Sequence, residues 1–375
     1  KALTLTPRKE APDTTENLTK TEQHIAQIWE KITKQKPNKT TNFFKQNNNS
    51  VMAIRLVDAL RKAFPDRPLS VADMFNDPTP EGLARCLEQD DQDRLSVVHL
   101  HKGDNGHPIF LFPGLMVNTR EYTPLARYLK NNGQGDRPIT GFVCYSLNAM
   151  RRENLTISSL AEDYATYIAE QANDRPSTFL GWSWGGVLAY ETARLLPNLP
   201  LEFVGMLDVC DLDVNFAVDN LVEINAMQEK ALTKLVETWL QQTKLRPAWE
   251  ALFRKMDRGL YRQFLRYVQT TAGQLPTDGP GIGSKEYELW TFLDNTLLYR
   301  AHDMKPASVP IHVWRAEDSV KRQLRLVDWA RYSPDIGRIA TIPGVTHREI
   351  VDSPVFHRSF ADSLTGAWQK AKEHA

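Results

Sequence analysis

The sequence predicts an α/β protein in two unequal parts: a small unit of four helices, then a larger unit with a mostly parallel sheet and an inserted helical segment. Up to Glu88, apolar residues recur at helical spacing with no strand signal. After Arg94, short apolar runs alternate with longer amphipathic stretches, the pattern of strands joined by crossover helices. Between Asp211 and about Pro306 that alternation stops, and the stretch is too long for a loop in a compact domain. A length of 375 residues suggests two or three domains, because single cores seldom grow past ~250–300 residues.

The elements follow in order. Residues 1–18 are polar, contain Pro7 and Pro12, and read as a linker. Thr19 with Glu22 three residues on has capping-box spacing and starts the first helix. Ile25, Ile28, Trp29 and Ile32 give it one apolar stripe, and Pro37 is expected to close it. A second stripe runs through Ala53, Leu56, Val57, Leu60 and Phe64, closed by Pro65. A short third helix carries Val71 and Phe75, and a fourth carries Leu83, Ala84 and Leu87 after Pro78 and Pro80. The helical unit thus occupies residues 19–88, and the acidic run that follows makes 89–94 a solvated linker. In the larger unit, 95–375, the strand candidates are 108–112, 141–145, 178–182, 203–207, 311–314 and 338–342. The helical insertion, about 212–306, reads as a lid.

Composition excludes several functions. With 46 basic and 46 acidic side chains, the chain has no excess charge with which to bind nucleic acid by bulk electrostatics. At 41% hydrophobic residues it is not a disordered chain. No run approaches the ~18 apolar residues of a membrane span, so no membrane partner is expected. Cys86, Cys144 and Cys210 match no zinc spacing or disulfide framework, which suits a reducing, cytoplasmic location. The chain starts at Lys1 without a signal-peptide pattern and reads as a piece of something longer.

The sharpest motif is Gly181-Trp182-Ser183-Trp184-Gly185-Gly186, of the form G-x-S-x-G, between a strand signal and a helix signal. A serine on such a strained strand-to-helix turn is exposed to substrate. The glycines are needed because side chains at 181 and 185 would strike neighbouring backbone. A serine hydroxyl needs a base. Of nine histidines, His347 stands out, in a loop after the last strand signal and before the last helix. His312 lies inside a strand pattern and reads as structural, while His357 and His374 read as solvated on the terminal helix. The base in turn needs an acid. Asp208 and the pair Glu317 and Asp318 both follow strands and both keep the order serine, acid, histidine. Asp208 is favoured, since a carboxylate directly after an apolar strand is costly without a partner. For the oxyanion, one N–H should come from Trp184. The other should come from the loop after 108–112, where Pro113 has none, leaving Leu115 with Gly114 as the alternative.

Ser50 begins the second helix, where a capping role alone would account for a serine. Residues 42–57, with Phe43, Phe44 and Ser50, together with 69–75 and 77–84, resemble the carrier proteins of nonribosomal peptide synthetases. By that resemblance Ser50 would carry a covalently attached phosphopantetheine arm, placed there by a phosphopantetheinyl transferase. The family's Gly-Gly-Asp or Gly-Gly-His triplet is replaced by Asn47, Asn48 and Asn49, and Asn tolerates left-handed backbone better than most residues. The larger unit resembles the thioesterase domain that ends such assembly lines, an α/β-hydrolase with a helical lid. Its motifs here are Phe112-Pro113-Gly114, the serine motif, Leu207-Asp208 and Gly344-Val345-Thr346-His347. That family places its acid after the strand following the nucleophile helix, which again selects Asp208. The resemblance implies release of a carrier-tethered peptidyl or acyl thioester through an acyl-Ser183, by hydrolysis or macrocyclisation, with upstream synthetase modules as partners. Lys1-Ala2-Leu3 resembles the tail of an adenylation domain. The alternatives are a polyketide-type release thioesterase, a free-standing esterase or lipase fused to a helical interaction module, and a scaffold with a degenerate carrier.

Overall fold

The structure, a computed structural model, describes residues 18–46, 48, 50–66, 69–88, 95–114, 119–143, 155–211, 223–243, 245–276 and 284–366. The chain divides into two compact units, the second taking the chain from Asp93 on together with Ser70–Ala72. The helices up to Glu88 are α1 (Lys20–Thr33), α2 (Ser50–Ala63), α3 (Val71–Asn76) and α4 (Pro80–Glu88). Thr19 and Glu22 form the expected reciprocal cap: the Glu22 N–H donates to Thr19 Oγ1 at 3.2 Å and the Thr19 N–H to Glu22 Oε2 at 2.8 Å. The helix stops before Pro37 can act. Lys34 turns left-handed at φ 62° and its N–H closes the last turn on the Glu30 carbonyl at 2.8 Å. Ile25, Trp29, Phe43, Leu56, Val57, Leu60 and Leu83 are wholly buried, each large side chain worth roughly 1.5–3 kcal/mol of transfer from water.

The second unit is built on seven strands: β1 (Val97–His101), β2 (Ile109–Phe112), β3 (Ile139–Phe142), β4 (Ser177–Trp182), β5 (Leu201–Leu207), β6 (Ile311–Ala316) and β7 (Ile336–Ile342). They lie in the order β1-β3-β2-β4-β5-β6-β7. Among the described strands only β1 runs antiparallel to its neighbour. The sequence did not reveal β1, because it lies at the sheet edge and only Val97 and Val98 are buried, too short a run to signal a strand. Strand β3 starts at Ile139, directly after Pro138, two residues before the expected 141.

The connections are helical: α5 (Thr123–Asn131), α6 (Ile157–Ala172), α7 (Gly185–Leu195), then α8 (Ala226–Gln242), α9 (Arg246–Lys255), α10 (Arg258–Thr270) and α11 (Lys285–Arg300) in the insertion, and finally α12 (Glu317–Lys321) and α13 (Pro354–Thr365). Tyr164 and Ile168 of α6 and Val187, Leu188 and Tyr190 of α7 pack with Phe110, Phe142 and Phe179 in one apolar layer. Leu125 and Leu129 of α5 and Phe356 and Phe360 of α13 pack with Ile109, Leu180 and Trp314 in the other. The sheet is therefore covered on both faces, as its continuously buried strands require. Helices α8–α11 hold a core of their own around Trp239, Trp249, Phe264, Leu265 and Leu293.

Away from the strand ends that carry the serine, Glu202 accepts hydrogen bonds from Arg137 (2.6 and 3.0 Å), His107 (2.8 Å) and Thr178 (2.5 Å). This cluster ties together the starts of β2–β5. His312 is structural, as expected: it stacks on Phe203 at 4.3 Å and 9°, and burial, with Arg338 beside it, pushes it down to about 4. His357 corrects an expectation, for it is buried and donates Nε2–H to the Val351 carbonyl at 2.8 Å. His374 lies outside the described residues. Among the described residues no helix is long and apolar enough to cross a membrane.

Candidate active site

Strand β4 runs into Ser183, which takes a left-handed φ of 53°, and α7 starts two residues later. Such a conformation in a non-glycine residue costs on the order of 1–3 kcal/mol and persists only where its surroundings enforce it. Here they do. The Ser183 N–H donates to the Leu207 carbonyl at 2.9 Å, and its own carbonyl accepts from Gly186 at 3.0 Å. A Cβ on Gly181 would lie 2.2 Å from the Gly185 carbonyl oxygen, and one on Gly185 would lie 2.5 Å from that of Pro113. The glycines are present because backbone passes where side chains would be. Trp184 is the cap residue of α7, which places its amide at the positive end of the helix dipole.

Asp208 directly follows β5, also left-handed at φ 47°, and is wholly buried. A buried carboxylate needs partners, and it has three. Oδ1 accepts the Ala316 N–H at 2.8 Å. Oδ2 accepts the Ser319 hydroxyl at 2.6 Å and faces His347 Nδ1 at 2.7 Å. Since a carboxylate only accepts, Nδ1–H is the donor, and in the neutral ring that tautomer leaves the lone pair on Nε2, the form a general base requires. Trp182, one residue before the serine, donates its indole N–H to the His347 carbonyl at 3.2 Å, and the two rings lie 5.7 Å apart. Gly344, at φ 70°, begins the turn that returns the chain to His347, with its N–H on Glu317 Oε2 at 3.0 Å.

The two acid candidates separate clearly. Asp208 is hydrogen-bonded to His347, whereas Asp318 sits half-exposed on α12 against Arg322 at 3.4 Å. Of the oxyanion candidates, Leu115 lies outside the described residues. The end of β2 leading to it is held by Tyr122, whose hydroxyl donates to the Phe112 carbonyl at 2.9 Å. In the helical unit, Ser50 is the first residue of α2. Its side chain, like Asn47 and Asn49, lies outside the described residues, while Asn48 Nδ2 donates to the Phe43 carbonyl at 3.1 Å.

Sequence reasoning missed Ser319, Trp182 as a holder of His347, and Cys210. None had a local signal: Ser319 reaches Asp208 across 111 residues and Trp182 reaches His347 across 165. Cys210 Sγ lies 3.8 Å from the Asp208 carbonyl, and burial, with Asp208 and Asp211 nearby, pushes its thiol up to about 12.

The family model described as a thioesterase domain matches residues 107–282, and the one described as a phosphopantetheine attachment site matches residues 23–87. The indigoidine synthase of Dickeya dadantii is 29% identical over 175 residues, 46% of this chain and 11% of its own. That of Streptomyces lavendulae is 30% identical over 181 residues, 48% of this chain and 14% of its own. An orsellinic acid synthase of Armillaria ostoyae is 26% identical over 283 residues, 76% of this chain and 11% of its own. The chain therefore spans only 11–14% of the length of these relatives. Among solved structures, a holo four-domain nonribosomal peptide synthetase bound to AMP and glycine has a TM-score of 0.49 at 20% identity, over 98% of this chain and 27% of that one. A carrier domain joined to a thioesterase domain fits release of a carrier-bound thioester. Residues 23–87 thus match a phosphopantetheine-attachment domain, the kind of domain that carries phosphopantetheine covalently, and residues 107–282 match a thioesterase domain.

Proposed function

We propose that the thioesterase domain releases a carrier-bound acyl or peptidyl chain through an acyl-serine on Ser183, with His347 as base and Asp208 as the acid that orients it. The observation that carries this is the 2.7 Å bond from His347 Nδ1 to the buried Asp208, beside a serine held at φ 53°. Ser50 would hold the phosphopantetheine: it opens α2 and offers the hydroxyl that a phosphodiester link requires. When bound, that group supplies the thiol on which the chain is carried as a thioester.

In the first half-reaction, His347 Nε2 takes the Ser183 proton as Oγ adds to the thioester carbonyl. Trp184 and Leu115 amides hold the oxyanion, an effect worth ~3–4 kcal/mol per donor in a comparable site. His347 then returns the proton to the departing sulfur, and Asp208 stabilises the imidazolium between these steps. In the second half-reaction His347 takes a proton from either water, giving hydrolysis, or a nucleophile on the chain itself, giving macrocyclisation, and returns it to Ser183 Oγ as the acyl–serine bond breaks. A phosphopantetheinyl transferase and upstream synthetase modules are the partners this scheme needs. A second reading, release of a non-peptide acyl chain, is favoured by the 283-residue match to a relative named as an orsellinic acid synthase.

Ser183→Ala is the direct test. The full chain is treated with coenzyme A and a phosphopantetheinyl transferase, then loaded with an acyl group and followed by mass. The variant should gain the arm and keep its acyl load, while the parent sheds it; shedding by the variant would refute Ser183. Ser50→Ala should gain no arm, and a gain would move the attachment site elsewhere.

A further inference from the structure

Among the described residues, three chemically different metal donors converge at one point: an Asp208 carboxylate oxygen, the Cys210 thiol and a ring nitrogen of His347 lie within 4.8 Å of one another. Release through a serine gives Cys210 no role, yet its position is built. Segment 209–211 pairs with 325–327 through Asp211 N–H to the Arg325 carbonyl at 2.8 Å and Val327 N–H to the Val209 carbonyl at 3.0 Å. The Asp211–Arg325 ion pair at 3.0 Å and a bridge from Cys210 to Leu326 fix the same strip.

We infer that Asp208, Cys210 and His347 form an inhibitory binding site for a thiophilic divalent cation, zinc foremost. One sulfur, one imidazole and one carboxylate suit zinc, and three protein ligands leave its fourth position for water. Tetrahedral bonds of about 2.0–2.3 Å place ligand atoms roughly 3–4 Å apart. The Asp208–His347 separation of 2.7 Å must therefore open slightly and the sulfur must move inward. Half-exposed His347 gives the ion its way in.

The exchange balances. One Zn²⁺ takes the lone pair of His347 Nδ1, whose proton passes to Nε2 so that the ring stays a neutral imidazole, and it displaces the Cys210 Sγ proton, which leaves to solvent. With zinc on Nδ1 and the ring proton on Nε2, His347 has no lone pair left to take the Ser183 proton, and release stops. Binding rests only on the three side chains; the inhibition rests on the serine mechanism proposed above.

The test uses the full chain with zinc chloride and cobalt chloride as probes. Cobalt should give a near-ultraviolet thiolate-to-cobalt absorption band that is lost in Cys210→Ser and kept in a Cys86→Ser/Cys144→Ser variant. Zinc should inhibit hydrolysis of a small acyl-N-acetylcysteamine thioester, reversibly with EDTA. Cys210→Ser should retain activity and need at least ~tenfold more zinc, the loss of one ligand. A cobalt band that survives Cys210→Ser, or equal zinc sensitivity of the variant and the parent, would overturn the site. A cobalt band lost in Cys210→Ser from a chain without thioesterase activity would uphold the site and reject the mechanism instead.

Discussion

Asp208→Asn isolates the acid without removing volume. Asp208 Oδ1 accepts the Ala316 N–H at 2.8 Å, so an asparagine must keep its carbonyl oxygen on that side. Its NH₂ is then forced to the Oδ2 side, facing His347 Nδ1 and Ser319. Flipping the amide would set NH₂ against a backbone N–H, donor against donor. An NH₂ facing Nδ1 selects the tautomer protonated on Nε2, which cannot take the serine proton. The fold survives, because the Ser319 hydroxyl can rotate to accept from the amide. The same substitution in a Ser-His-Asp protease costs about 10⁴ in kcat, or about 5.5 kcal/mol of barrier. We expect kcat/KM for a soluble acyl thioester to fall by about that factor, with the unfolding midpoint little changed. Asp318→Asn, half-exposed on α12, should leave the rate within about twofold of the parent, as surface changes remote from the reacting groups do. A rate for Asp208→Asn within tenfold of the parent, or a loss with Asp318→Asn instead, would refute the assignment.

Ser319→Ala removes one donor from a buried carboxylate, a bond to a charged group worth about 1.5–3 kcal/mol; kcat should fall about tenfold or more with KM unchanged, and an unchanged kcat would show that Ser319 only fills space. Gly181→Ala drives a methyl to 2.2 Å from the Gly185 carbonyl oxygen and should lower stability by about 3 kcal/mol or more. Gly344→Ala, at φ 70° with nothing within 4 Å of the added methyl, should cost only about 1 kcal/mol, so urea midpoints in the reverse order would contradict the steric account. His312 has a folded value near 4 against 6.5 for the free side chain, so the unfolded chain binds more protons between those limits. Its contribution is complete above pH 6.5 and is lost as pH falls towards 4; His312→Phe should flatten the urea midpoint across that window, and an unchanged slope would exclude His312 as its source.

The parts legible in the sequence were those with local causes. The elbow could be read because Gly181, Ser183 and Gly185 form a fixed pattern within five residues, although only the clash at Gly181 is local and the one at Gly185 is with the backbone of Phe112 and Pro113. The cap at Thr19 and the strands buried on both faces were readable for the same reason. Strand β1 was not, since its two buried residues become a strand only by pairing with β3. His357 misled because its partner, the Val351 carbonyl, belongs to the turn before its helix, and helical position alone suggested solvent. Ser319 and Cys210 were invisible because their meaning is entirely tertiary.

The choice between Asp208 and Asp318 shows where sequence reasoning stops and why. Both follow strands that are neighbours in the sheet, since β5 and β6 pair in parallel from Val204↔Ile311 to Leu207↔Trp314. That register puts Asp208 and the start of α12 at the same sheet edge, so either carboxylate could be placed near a base by topology alone. What separates them is solvent. The chain folds Asp208 into full burial and gives it a backbone N–H, a hydroxyl and an imidazole, while Asp318 keeps water and one arginine. The same register explains how helices α8–α11 can be inserted between the two strands without disturbing the site. Their roots are the ends of two strands already locked side by side. The acid and its donor Ala316 are thus held by the sheet, and the insertion is free to vary without moving either.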